Sequence, residues 1–229
     1  MRYFILILIS LLLSKNAEAQ IYEVGIFFGG SNFIGDVGST NYIAPNQPAM
    51  GGIVKWNRSA RHSYRISAIY TNLEALDSKS NDPRRNQRDY SFKNGLLEIS
   101  AGMEFTFMEF DLHTPEMKGT PYIYSGITIA NHDNYFFSST GQYTSEDTRS
   151  WAFGIPMVLG YKAKIYNQLI LAAEIGARYT FSDELDGSVP DSADRESLSF
   201  GNTNNNDWYM FSGITLTYTF GKRPCFCNF

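Results

Sequence analysis

Apolar residues in this chain recur at every second position, in eight separate stretches. Tyr22, Val24, Ile26 and Phe28 alternate in the first, and Met50, Gly52, Val54 and Trp56 in the second. Tyr64, Ile66, Ala68 and Tyr70 mark the third. Leu97, Ile99, Ala101, Met103, Phe105 and Phe107 mark the fourth. In the fifth, Ile123, Ile127 and Ile129 share one face. The sixth carries Trp151, Phe153, Ile155, Met157, Leu159 and Tyr161. The seventh carries Leu169, Leu171, Ala173, Ile175, Ala177, Tyr179 and Phe181, and the eighth Trp208, Met210, Ile214, Leu216, Tyr218 and Phe220. A period of two belongs to strands, whose side chains point alternately to opposite faces, and none of this is helical spacing.

The connections between these stretches fall into two kinds. Stretches two to three and six to seven join through short segments around Asn57–Arg61 and Lys162–Gln168, and four to five through a somewhat longer turn near Asp111–Gly119. The other four connections, Ser31–Pro48, Glu74–Tyr90, Asn131–Arg149 and Ser182–Asp207, are long and polar. Short turns on one side and long loops on the other are the asymmetry of an outer-membrane barrel. A soluble β-sandwich mixes its connections between the two ends. The reading is therefore all-β: an eight-stranded, antiparallel, up-and-down transmembrane β-barrel. An even strand number puts both termini on the short-turn, periplasmic side.

Composition sharpens this picture. Aromatic residues make up 15% of the 229 residues, and 19 glycines accompany them. Tyr22, Trp56, Tyr64, Phe107, Tyr161 and Phe220 fall at one end of the stretches, and Phe28, Tyr70, Trp151, Phe181 and Trp208 at the other. That is the placement of two interfacial girdles. With the apolar set turned to lipid, Glu23, Lys55, Arg65, Glu98, Glu104, Glu174 and Arg178 all point inward. Four acids and three bases form a nearly balanced ionic network in a lumen narrow enough for side chains to fill. The net charge of −4 gives no sign of a nucleic-acid partner.

The ends carry separate signals. Arg2, the apolar run Phe4–Leu13 and the small-x-small site Ala17-Glu18-Ala19 read as a signal peptide over residues 1–19, leaving Gln20 as the first mature residue. The barrel then occupies 20–220, and 221–229 is a periplasmic tail. Both cysteines lie in that tail, as Cys225-Phe226-Cys227, so no disulfide framework holds the fold. In an oxidising periplasm they are expected to be bridged, to each other or to another chain. With Lys222, Arg223 and Phe229 they make the tail a candidate docking element for a partner.

Catalytic and metal chemistry find little footing. Of the histidines at 62, 113 and 132, His132 alone has an adjacent carboxylate, Asp133. Neighbouring strand residues point to opposite faces, so this is read as rim rather than as a catalytic pair. Asp183, Glu184, Asp186, Asp191, Asp194 and Glu196 make the last long loop acidic, in a spacing that fits no calcium-binding loop. Asn57-Arg58-Ser59 fits a glycosylation sequon but falls in a periplasmic turn. Two cysteines are too few for a closed zinc site. The expectation is a protein that is not an enzyme, with no cofactor and no metal.

Two end motifs add a resemblance. Tyr22-Glu-Val-Gly-Ile-Phe-Phe-Gly-Gly-Ser-Asn-Phe-Ile-Gly-Asp36 and Asp207-Trp-Tyr-Met-Phe-Ser-Gly-Ile-Thr-Leu-Thr-Tyr-Thr-Phe-Gly-Lys-Arg-Pro-Cys225 resemble the opening and close of PorG-like proteins, small outer-membrane barrels of the type IX secretion system. Phe92-Lys-Asn-Gly-Leu-Leu-Glu98 and Pro121-Tyr-Ile-Tyr-Ser-Gly126 are similar as well. The resemblance implies a non-enzymatic structural component of protein export. Its expected partners are outer-membrane lipid and a periplasmic ring built from a lipoprotein and its partner subunit. The alternative is a small OmpW-like ligand-binding or permeability barrel.

Overall fold

In the computed structural model, which describes residues 21–112, 117–202 and 205–221, each alternating stretch becomes one strand. The strands are β1 (Ile21–Ile34), β2 (Gln47–Asn57), β3 (His62–Leu76), β4 (Ser91–Thr106), β5 (Gly119–Phe137), β6 (Tyr143–Tyr166), β7 (Leu169–Thr180) and β8 (Trp208–Phe220). Every sequential pair is antiparallel, and β8 pairs back onto β1, closing an eight-stranded up-and-down barrel. A short α-helix, α1 (Pro83–Arg88), lies in the β3–β4 connection, capped by the Asp82 carboxylate accepting from the Arg84 amide.

The two faces of the wall differ as the alternation requires. Outward residues are large, apolar and exposed: Ile66 is 58% exposed, Ile127 70%, Phe153 63% and Leu159 63%. An apolar band right round a protein far exceeds the patches that soluble monomers expose, and polar side chains fill the inside. The molecule is a β-barrel of outer-membrane type. At the turn end, Tyr22 stacks on Phe220 and Trp56 tilts against Tyr64; at the loop end, Trp208 packs on Tyr179, which meets Phe181 edge-on. Between these levels every neighbouring pair of strands is laddered, as hydrocarbon demands, with one gap where the β5–β6 pairing skips Gly126 and Ile127 opposite Pro156, which has no amide to donate.

Three local expectations are corrected. The segment Asn131–Arg149 is not a long loop: β5 and β6 continue as a projecting hairpin that turns only at residues 138–142, with a bulge between Asp133 and Tyr135. The turn placed at Lys162–Gln168 shrinks to residues 167–168, because β6 runs on to Tyr166 and carries Lys162 and Lys164 on its inner face. Met210, in phase with the lipid-facing set, is only 6% exposed. The signal peptide 1–19, the residue His113 and the tail residues Lys222, Arg223, Cys225, Phe226, Cys227 and Phe229 lie outside the described residues.

Candidate functional site

Strand alternation turns Glu23, Lys55, Arg65, Glu98, Glu104, Glu174 and Arg178 into the lumen, and all seven are buried. An eighth residue joins them. Lys162 continues the inward series of β6 and donates to Glu104 Oε1 at 2.7 Å, while Lys55 Nζ sits 2.7 Å from Oε2, so one carboxylate bridges two ammoniums. Arg65 forms a two-pronged pair with Glu174, Nη1 to Oε2 at 2.7 Å and Nη2 to Oε1 at 2.9 Å. Tyr122 donates its hydroxyl to Glu174 Oε2 at 2.6 Å. Glu23 is held by neutral donors, Asn57 Nδ2 and Thr217 Oγ1, each at 2.9 Å. This turn-side layer thus sets Lys55, Arg65 and Lys162 against Glu23, Glu104 and Glu174.

Nearer the loop end, Arg178 pairs with Glu98 (Nε to Oε2, 3.1 Å), and the Tyr209 hydroxyl donates to the same oxygen at 2.6 Å. Aromatic faces flank the cations: Arg65 lies 4.7 Å from the Tyr124 ring centroid, Lys162 4.9 Å from Phe110 and Arg178 4.4 Å from Phe211. Gly160 has no side chain where the Tyr122 ring passes, and a Cβ there would collide with it.

Above the ion pairs the lumen becomes an apolar core of Phe27, Phe33, Ile53, Ile69, Leu73, Phe92, Leu96, Tyr135 and Phe211, into which the loops insert Val37 and Leu185. Carboxylates then tie the loops to one another. Asp186 accepts from the amides of Asp36 (2.8 Å), Val37 (3.3 Å) and Ser188 (3.0 Å). Asp207 accepts from Leu185 N–H at 3.0 Å, and Asp77 from Gly38 N–H at 2.7 Å and Arg88 Nε at 2.8 Å. The result is a cap over the loop end. Burial, with Asp186, Asp36 and Glu184 nearby, pushes the Asp183 carboxyl up to about 7. Burial likewise raises Asp186, and holds Asp207 well above the usual carboxylate range beside Asp186 and Asp183.

Over residues 1–229 the sequence matches the family described as a domain of unknown function, DUF6089. The chain belongs to that family. No curated protein matches it. Among solved structures, it is similar to Ail, the attachment invasion locus protein of Yersinia pestis, crystallised with the heparin analogue sucrose octasulfate (10% identity, 88% of this chain and 99% of that one, TM-score 0.47). It is also similar to a major outer membrane protein from Thermus thermophilus (13%, 89% and 100%, 0.48) and to OprG from Pseudomonas aeruginosa (8%, 90% and 98%, 0.45). At these identities and scores the similarity is to barrels of this general kind and reaches no further.

In the DUF6089 barrel the other sequence candidates separate. His132 is fully buried and Asp133 half-buried; the carboxylate pairs with Arg149 at 2.9 Å and not with the imidazole, so no His–Asp couple forms. His62 lies at a turn, 3.2 Å from Ser59 Oγ. Of the acidic loop, Asp186 is consumed by amide hydrogen bonds, and among the described residues no cluster of His, Cys, Asp and Glu is arranged for a metal. Sequence reading missed Lys162, Asp77, Asp207 and Asn94. Only Lys162 left a signal, two positions beyond the inward Gly160.

Proposed function

We propose that this barrel is an outer-membrane structural component of the type IX protein secretion system, anchoring or contacting the periplasmic ring through its turn-side face. The observation that carries the reading is the filled lumen. Buried ion pairs, rings and an apolar core occupy the space inside the strands, and carboxylate-tied loops close one end. A barrel packed in this way offers its rims and outer wall for work, which suits an anchor better than an OmpW-like permeability path. The resemblance of Tyr22–Asp36 and Asp207–Cys225 to PorG-like proteins supplies the identity of the machine; fold alone would not. The reading gives the protein no catalytic role, with both termini periplasmic and the tail 221–229 as the expected dock together with the turn near Asp111–Gly119.

The test is affinity purification of the tagged protein from gently solubilised outer membranes, with mass spectrometry of what accompanies it, beside conductance measurements in planar bilayers. Co-purification of the ring lipoprotein and its partner subunit, with no stable conductance, is expected. Steady conductance and an absence of both ring subunits would replace this reading with the permeability one.

A further inference from the structure

The first long connection does not simply rise away from the membrane. β1 turns Phe27 inward and Phe28 outward, so by alternation Gly30 and Asn32 also face outward. Both are covered from that side by the chain's own residues 41–46. Pro45 lies against Gly30, where a Cβ would stand 2.6 Å from the Pro45 Cβ. Asn32 is only 3% exposed. Its Nδ2 donates to the carbonyls of Asn41 and Tyr42, each at 3.1 Å, and its Oδ1 accepts from the Ala44 amide at 3.3 Å. Asn46 closes the segment: its N–H donates to the Ser31 carbonyl at 2.9 Å, and its Nδ2 to the Glu74 carbonyl at 2.8 Å. Residues 41–46 thus form a strap folded over the lipid-facing side of the wall.

The strap sits at the level where hydrocarbon gives way to headgroups. It covers β1 between two markers of the loop-side girdle, Phe28 below and, above, Ile34, which is the register partner of Trp208. Irregular chain at this depth must find partners for its backbone, because lipid supplies none. Asn32 takes up three of those backbone groups, the Asn46 amide bonds to the wall, and Pro45 has no N–H to satisfy. Charge is absent as well. From Val37 to Pro48 the connection carries no ionisable acid or base, whereas each of the other three long connections carries several. What the strap turns outward is apolar: Tyr42 is 68% exposed and the adjacent Ile43 59%.

We propose that this strap is a lipid-docking element, with Tyr42 and Ile43 seated in the loop-side leaflet of the bilayer. Tyrosine suits the position, since its ring enters the acyl boundary while its hydroxyl stays among the headgroups. Lipid is the occupant because two side chains make far too small a patch for a stable protein interface, which needs about 800 Å² a side. A bilayer already surrounds the wall at this height and requires only an apolar surface with a satisfied backbone. Gly30 and Asn32 act as the seat of the strap, one by leaving room for Pro45 and the other by holding the segment between Asn41 and Ala44.

The probe is a nitroxide at Ile43→Cys in a Cys225→Ser, Cys227→Ser background, in the full chain folded into phosphatidylcholine vesicles. Its collisions with oxygen, which concentrates among acyl chains, and with a water-soluble nickel chelate report its depth. Labels at Met157→Cys and Thr140→Cys give the profiles of the outward belt and of the exposed β5–β6 hairpin tip. The Ile43 label should follow the belt profile, with oxygen collisions exceeding those with nickel. Asn32→Ala removes the hold on the strap, and Gly30→Val pushes Pro45 off the wall. In each, the Ile43 label should lose its preference for oxygen and move to the Thr140 profile, while the gel-mobility shift shows the barrel still folded. A parent label as open to nickel as the one at Thr140 would put the strap in water, and a label shielded from both reagents would put protein over it. Either result overturns the proposal, as does an Ile43 profile that Asn32→Ala and Gly30→Val both leave unchanged.

Discussion

Removing the charge of Glu104 is the most direct test of how the lumen is held together. Its carboxylate is fully buried and stands 2.7 Å from both Lys55 and Lys162. Glu104→Gln keeps the shape and deletes the charge, leaving two ammoniums against one another in a layer that then holds three cations and two acids. Breaking a buried ion pair by removing one partner costs roughly 3–5 kcal/mol, because the survivor stays desolvated and unpaired. Here two survivors remain, so the upper half of that range is expected. Lys162→Met removes an ammonium whose partner keeps Lys55, so it should cost less, about 1–3 kcal/mol. The double variant should be less destabilised than the two losses added together, since deleting Lys162 relieves the repulsion that Glu104→Gln creates. A coupling of about 1–3 kcal/mol is the expectation for groups in contact. Reversible urea titration of the protein folded in lipid vesicles, followed by the gel-mobility shift of the folded barrel, gives all four free energies. A Glu104→Gln variant within about 1 kcal/mol of the parent, or additive single effects, would mean that the bridged carboxylate does not hold the lumen.

Three further outcomes follow from the same geometry. Ile127→Arg, at an outward position near mid-wall, should cost about 2–4 kcal/mol in the vesicle titration, whereas the inward Thr128→Ser should cost under about 1; equal costs would put the faces the wrong way round. The cap should loosen as pH rises: the folded-state carboxyls of Asp183, Asp186 and Asp207 are raised, so their contribution is full below about pH 4 and declines as pH climbs toward the folded values, about 7 for Asp183. Hydrogen exchange at Leu185 and Ser188, corrected for intrinsic rate, should therefore be faster at pH 8 than at pH 5, and Asp183→Asn should flatten the difference. Asn94 Oδ1 accepts from the Asp133 amide at 3.1 Å, so Asn94→Ala should expose that amide to rapid exchange while leaving the ladder below Leu96 protected; unchanged exchange at Asp133 would show that the Asn94 bridge is dispensable.

The faces of the wall were legible because lipid and a packed lumen demand opposite residues at successive positions, and that demand holds only inside the belt. Above Asn131 both sides of β5 and β6 meet water or loop, so Asp133, Thr144 and Glu146 carry no apolar rhythm and read as a loop although they lie on paired strands. Lys162 was lost for a related reason: the last lipid-facing aromatic, Tyr161, looked like the end of its strand. Alternation also says which charges point inward without saying which of them meet, since pairing Arg178 with Glu98 across the lumen depends on barrel curvature and tilt. Nor does the pattern say why β6 carries Gly154: a Cβ there would press on the Tyr179 carbonyl, so the position tolerates no side chain without a backbone shift. The cap left no trace in the sequence, because a carboxylate that accepts loop amides has the same letter as one in water.

Polarity inside the barrel is sorted by depth, and the sorting separates two kinds of stability. The turn-side layer of Lys55, Arg65, Lys162, Glu23, Glu104 and Glu174 lies wholly between paired strands, so its partners are fixed by the ladders and by the membrane around them. The loop-side core is built differently. Val37 and Leu185 enter it from loops, and those loops are held by Asp186 and Asp207 rather than by any ladder. Releasing the cap would therefore unseat part of that core without touching a single strand pair in the belt. Local opening at the loop end therefore need not disturb the barrel wall, because the two layers are held by different bonds.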